Sequence, residues 1–287
     1  MSARRQPPVA RPSPPRHPPS DDPPAPSLVR LNKYLADNGV ASRRRADAMI
    51  AAGEVMVDGE IVTAVGTKVD PNRQRVEVDG VLLRPEGERH RYFLLNKPAG
   101  VMCTNEGREA RRRAVDLITD RRKGRIYTVG RLDEDTTGLV ILTNDGELAY
   151  RISHPRFGVP KTYKVLVRGR VGNEDIERMR RGVRLSDMRV AFDTIRVSRR
   201  TDRGSTVLVT LQEGRHREIR RVFAHLKLAV KGLHRVRIGP LTDRGLKVGS
   251  WRPLTREEVA ELAAFAARAP GRSSRRPGDR RPSGRRP

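Results

Sequence analysis

Strand-like and helix-like apolar patterns follow one another in this sequence without regular alternation. That irregular mixture predicts an α+β fold with a mainly antiparallel sheet, because a parallel sheet calls for a repeating strand–helix order. The changes of period are local. "KTYKVLVRG" (161–169) alternates as a strand does, with Tyr163 and Val165 on one face. Ile219, Val222, Phe223 and Leu226 fall at i, i+3, i+4 and i+7, which predicts a helix through "RHREIRRVFAHLKL". Leu139–Leu142 is an unbroken apolar run, short enough to suit a buried strand and too short to span a bilayer.

The two ends differ from the middle. Residues 1–27 are Pro-rich with almost nothing apolar to bury, and residues 268–287 hold eight Arg and one Asp. Both are expected to be disordered. Between them two folded domains are expected, over 28–88 and 89–267. In the first, Leu31, Tyr34 and Leu35 predict a short helix ended by Asn38-Gly39. Ser42 can cap a second helix with Ala46, Met49 and Ile50 on its buried face. Asp58-Gly59 between apolar runs predicts a hairpin, and Arg75–Val78 a later strand.

The second domain reads as strands at Tyr92–Leu95, Ile126–Val129 and Leu139–Thr143, with Arg131–Thr137 as a loop. Asn144 or Asp145 caps a helix from Glu147 to Ser153, or else Asn144-Asp145-Gly146 turns a hairpin. "TVLVTLQEG" is a further strand. Thr255 and Glu258 form a capping box for a last helix, Arg256 to about Ala267, with Leu254 and Val259 placed as a staple.

The chain carries 60 Lys and Arg against 34 Asp and Glu, a formal net charge of +26. The tails supply only part of it. A folded part this basic points to a polyanion, and nucleic acid comes first because cationic side chains release counterions from phosphates. A membrane-surface protein is the rival, but no basic amphipathic helix with aromatic anchors is visible. Cys103 is the only cysteine, so an intrachain disulfide and a multi-cysteine metal site are excluded. With no apolar signal segment at the amino terminus, the cytoplasm is the expected compartment. The histidines lack metal-ligand spacing and no Gly-rich loop has nucleotide-binding spacing, so no metal and no cofactor are expected. Arg43, Arg44 and Arg45 crowd the start of the second helix and oppose its dipole. They are either a solvated face or a phosphate grip, and the charge of the whole chain favours the grip.

Against this basicity stand Asp133, Glu134 and Asp135 in "GRLDEDTTGLVILTNDGELA" (130–149). An aspartate in a loop can simply order the turn, and Glu134 and Asp135 are expected to be solvated loop charges. Asp133 differs. Leu132 and the following apolar strand imply that its loop packs on a core. A second basic cluster, Arg215, Arg217, Arg220 and Arg221, could keep a buried aspartate ionised.

Four ordered segments carry a resemblance to the pseudouridine synthases of the branch typified by RsuA and RluB: "LLNKPAGVMCT", the aspartate segment above, "KTYKVLV" and "LQEGRHREIRRVF". "RLNKYLA…GVASRRRADAMI" also resembles the small RNA-binding domain of the ribosomal protein S-four type, which this branch carries. The resemblance covers Leu28 to about Leu262 and implies that domain followed by a catalytic domain with a central cleft. It implies that Asp133 is the catalytic aspartate, that Tyr163 stacks on the target base, and that Arg220 pairs with the aspartate beside Ile219. Arg131 would take the place of the extruded uridine, and Lys97 and Pro98 would be structural. The family often has Gln where this chain has Glu218. Arg30, Lys33, Arg43, Arg44 and Arg45 would hold RNA, with Arg215 and Arg217 adding to the grip. The implied reaction is isomerisation of uridine in ribosomal RNA without a cofactor, by a monomer that engages no membrane. Large-subunit RNA is favoured over small-subunit RNA by likeness to the RluB type. A noncatalytic ribosome-assembly protein is the other alternative, but it would not need Asp133, Tyr163 and Arg220 together.

Overall fold

A computed structural model describes residues 28–83, 90–105 and 111–268. The tails expected to be disordered lie outside the described residues, apart from Arg268 at the end of the last helix. Contacts divide the chain into two compact units, Met1–Glu86 and Gly87–Pro287.

The first unit runs β1 (Val29–Arg30), α1 (Leu31–Asp37), α2 (Arg43–Ala51), β2 (Val55–Val57), β3 (Glu60–Ile61), β4 (Lys68–Val69), β5 (Val76–Val78) and β6 (Val81–Leu83). Ser42 caps α2 by accepting the Arg45 N–H at 3.2 Å, which satisfies one otherwise orphaned donor. Asp58 (φ 52°) and Gly59 (φ 86°) turn the β2–β3 hairpin in the left-handed region, where Asp is tolerated and Gly is unstrained. The Asp58 carboxylate also accepts the Arg75 N–H at 2.7 Å, tying the turn to β5. Leu31, Leu35, Ile50, Val55, Val69 and Val76 are fully buried and join the helix pair to the small sheet.

The second unit runs β7 (Tyr92–Lys97), β8 (Tyr127–Val129), β9 (Thr137–Thr143), α3 (Gly146–Ser153), β10 (Lys161–Arg168), α4 (Asn173–Arg181), β11 (Val183–Arg184), β12 (Arg189–Val190), β13 (Thr194–Arg200), β14 (Gly204–Leu211), α5 (Glu218–His225), β15 (Val230–Ile238), β16 (Leu241–Thr242), β17 (Trp251–Pro253) and α6 (Arg256–Arg268). Its main sheet is ordered β13-β14-β10-β15-β9-β7-β17, with β16 beside β15 and β8 beside β9. The fold is α+β and mainly antiparallel. Among the strand pairs of the described residues, β9 and β15 alone are parallel. Successive residues of β7 and β9 enter two separate cores. Leu95, Val140 and Leu142 pack on the face covered by α4 and α5. Leu94, Leu139 and Ile141 pack on the face covered by α3 and α6. Burial on both faces is why β9 reads as an unbroken apolar run rather than an alternating one.

The helix ends are built as their sequences suggest. Asp145 caps α3, accepting from Glu147 and Leu148 N–H at 3.0 and 2.9 Å. Thr255 and Glu258 exchange reciprocal bonds at the start of α6, at 3.0 and 3.2 Å.

At the parallel joint, Gly138 has φ 114° and pairs with Arg235. A Cβ there would lie 2.4 Å from both the backbone N and O of Arg235. Gly138→Ala should therefore cost roughly 2–4 kcal/mol, from left-half backbone strain together with a clash against immobile backbone. A urea titration that left the unfolding midpoint unchanged would show that the joint can open at little cost.

Candidate active site

The loop from Gly130 to Thr136 is anchored from both sides. Leu132 is buried in the core, and Thr136 is likewise buried just before β9. Thr136 N–H donates to the Asp133 carbonyl at 3.1 Å, which closes a turn around Glu134 and Asp135. Beneath it lies Lys97, fully buried. Its ammonium donates to the carbonyls of Val101 (2.8 Å), Pro98 (2.9 Å) and Glu134 (3.3 Å). Burial lowers the Lys97 pKa, against the opposing pull of Cys103 and the acidic loop. Lys97 thus bolts the Lys97–Val101 turn to the aspartate loop.

A cleft of about 700 Å³ opens above this loop. Arg131, Asp133, Tyr163, Arg215, Arg217 and Ile219 all line it, brought from the loop before β9, from β10, from the approach to α5 and from its first turn. Asp133 is part-buried, its side chain 30% exposed. Tyr163 and Ile219 are buried, while Arg131 is exposed.

The arginine pairing differs from the one expected. Arg220 meets Asp135, with Nη2 3.1 Å from Oδ2 and 3.3 Å from the Asp135 carbonyl, and it makes no ion pair with Asp133. The cation at Asp133 is Arg217, 3.4 Å away, and the same guanidinium also reaches Asp135 at 3.4 Å. The reason lies in the backbone. Arg217 precedes α5 in the left-handed conformation (φ 49°), at the mouth of the cleft. Arg220 sits three residues further on, about 4.5 Å along the helix axis, and so meets the loop two residues beyond Asp133. Asp135 is correspondingly more than a solvated charge. Partial burial works to raise its pKa, but the hydrogen bond from Arg217 and the charge of Arg220 prevail and hold it below the usual carboxylate range.

Behind the cleft lies a buried polar layer that sequence reading missed. Arg235 is almost fully buried on β15. Its Nε donates to the Leu139 carbonyl at 2.6 Å and its Nη1 to the Tyr163 hydroxyl at 3.4 Å. The available signal was register: Arg235 shares the inward face of β15 with Leu233. Lys161 is buried against the carbonyls of Val159 and Ile152, at 3.2 and 3.4 Å. Burial, then the charge of Arg235, pushes its pKa down to about 8. Glu218 lines the cleft and accepts the Arg215 N–H at 3.1 Å. Burial, reinforced by Glu213, raises its pKa to about 7 against the opposing Arg215 amide and the charges of Arg215 and Lys161.

In the first unit, Arg30, Arg43, Arg44 and Arg45 are exposed. Arg43–Arg45 occupy the first turn of α2, and none of them has a carboxylate partner among the described residues. Lys33 is paired with Asp37 at 2.6 Å. Arg215, in the second unit, pairs with Glu213 at 2.8 Å. No group of three metal-ligating side chains occurs among the described residues, and no described helix is long and apolar enough to cross a membrane.

A family model described as RNA pseudouridylate synthase matches residues 91–225, and an S4 domain model matches residues 29–74. An uncharacterized RNA pseudouridine synthase of Aquifex aeolicus (strain VF5) is 43% identical over 236 residues, covering 82% of this chain and 93% of the relative. Ribosomal large subunit pseudouridine synthase B of Bacillus subtilis (strain 168) is 39% identical over 241 residues, covering 83% and 97%. The crystal structure of a pseudouridylate synthase, 32% identical, superposes with a TM-score of 0.58 over 82% of this chain and 99% of that one.

Glu218 couples stability to pH. Its folded-state value of about 7 lies above its ordinary value of 4.5, so the folded protein retains a proton that the unfolded chain releases. The associated stability is fully present below about pH 4.5 and is lost as pH rises through about 7. Glu218→Gln keeps an acceptor for the Arg215 amide and removes the titration. The variant should be more stable than the wild type at pH 8, by about 2–3 kcal/mol at most, with little gain at pH 4. Denaturant midpoints for both proteins at the two pH values test this, and an equal difference at both would show that burial of the charge is not the cause.

Proposed function

The chain belongs to the RNA pseudouridylate synthases, and on that premise we propose that it isomerises a specific uridine of ribosomal RNA, of the large subunit, with Asp133 as the catalytic carboxylate. The observation that carries this reading is the convergence of Asp133, Tyr163, Ile219 and Arg131 on one cleft from separate segments of the chain. The large-subunit assignment rests on likeness to the Bacillus subtilis synthase B.

The reaction breaks the bond between ribose C1′ and uracil N1, turns the base, and joins C1′ to C5; the C5 proton leaves and N1 takes one up, so the product is an isomer of uridine. No electrons are gained or lost. A carboxylate is needed beside C1′, as nucleophile or as base. Asp133 is proposed for that place. Arg217, 3.4 Å away, supplies the neighbouring positive charge. Arg220 instead fixes Asp135, and so the far end of the same loop. The base must first leave its stack, at a cost of a few kcal/mol. Stacking on Tyr163 and filling of the vacated position by Arg131 would offset that cost. Arg235 holds the Tyr163 hydroxyl from behind, which fixes the ring before substrate arrives. Arg30, Lys33 and Arg43–Arg45 are proposed to hold the RNA through the S4 domain, and Arg215 to add positive charge at the cleft.

Asp133→Ala and Asp133→Asn should each lower single-turnover pseudouridine formation at least about 100-fold, while RNA affinity stays within about twofold. Near-normal turnover in either variant would remove Asp133 from the chemistry. A pseudouridine map of ribosomal RNA from cells with and without the protein should lose a site in the large subunit. Loss in the small subunit instead would reassign the target.

A further inference from the structure

A second concavity, of about 380 Å³, lies outside the cleft. Arg178, Arg181, Arg184 and His225 surround it, over Val183 and Leu226, and no carboxylate lines it. The four basic side chains come from three elements: the last turn of α4, β11, and the end of α5. Nearby acids are already engaged. Glu174 takes Arg178 at 2.8 Å and Glu177 takes Arg180 at 2.6 Å. Asp187, in the turn between β11 and β12, is held by Arg221, with one contact at 3.1 Å. Arg181 and Arg184 are exposed and have no carboxylate partner among the described residues. Arginines in the last turn of a helix complement its dipole, and that accounts for α4 by itself. It does not account for Arg184 and His225 converging on the same hollow.

The hollow is joined to the cleft by α5. Glu218 and Ile219 at the start of that helix line the cleft, and His225 at its end lines the hollow. Eight residues of helix span about 12 Å. Both α4 and α5 pack on the same core and the same face of the sheet, through Ile176, Met179, Val222 and Phe223. A polyanion held in the cleft therefore has unpaired arginines about one eight-residue helix away along α5. Guanidinium groups suit phosphate because they donate two parallel hydrogen bonds.

We propose that Arg181 and Arg184 form a phosphate subsite that grips the backbone of the substrate RNA a few nucleotides from the base in the cleft. This rests on the reading of the protein as an enzyme acting on ribosomal RNA. The grip is electrostatic, so it adds affinity without selecting sequence.

The test is binding of a ribosomal RNA transcript to the full chain across about 50–200 mM salt. R181A/R184A should weaken binding about tenfold at the low end. It should also make the log–log salt slope shallower by about 1.4–1.8, the change for two lost phosphate contacts. R181K/R184K, which keeps the charge, should retain most of the slope. Turnover at saturating RNA should be unchanged in both. K247A/R256A is the charge-matched control: these exposed residues adjoin β17, at the opposite edge of the sheet from β13, on which α4 packs. If the control alters the slope as much as R181A/R184A, or if R181A/R184A binds like the wild type, the subsite is refuted. Inorganic phosphate at matched ionic strength should not displace the RNA, and displacement would indicate a free-anion site instead. The reading of Asp133 as catalytic is scored by turnover and this subsite by binding, so either can fail without the other.

Discussion

The parallel joint between β9 and β15 is the contact on which the second unit depends. Gly138 lets the two backbones approach where no side chain would fit. Beside it, Thr137 Oγ1 lies 2.7 Å from His234 Nδ1, and His234 Nε2 lies 3.0 Å from Asp243. Arg235 crosses the same joint to the Leu139 carbonyl. Parallel pairing forces a long excursion between the strands, and that excursion contains β10, α4 and α5. The joint therefore fixes the start of β9, and with it the end of the Asp133 loop, against the strand that supports Tyr163.

The charges around the cleft are divided by burial. Exposed arginines have no desolvation to overcome. The part-buried acids of the loop and the arginines of α5 satisfy one another, because a lone charge at the edge of a core is costly. Asp135 is central to this division. By engaging Arg220 and sharing Arg217, it sets which guanidinium is free to face Asp133. Deeper in, Lys161 and Arg235 lie behind the cleft, and Glu218 lines it. The low polarity there moves Lys161 and Glu218 toward their neutral forms.

Much of the fold was legible in the sequence because local signals act within a few residues. Ser42, Asp145 and Thr255 cap helices by bonding amides two or three positions away, and Asp58-Gly59 turns a hairpin through its own φ angles. The apolar run at β9 announced a buried strand for the same reason. The residues of the cleft were legible through motif, each within its own segment.

Which side chains meet across segments was decided only by tertiary structure. Arg217 and Arg220 stand three apart in one basic cluster, and composition treats them alike. Their partners follow from a left-handed residue before α5 and the rise of the helix past a fixed loop. Arg235 and Glu218 look like ordinary surface charges in sequence, because burial depends on what the rest of the chain lays over them. The sequence by itself determined several elements, their caps and which residues belong to the motifs that line the cleft; α4, β13 and β15 emerged only in the structure. The pairing of those groups and the protonation set by their burial arose from contacts between residues as far apart as 133 and 217, which no local propensity encodes.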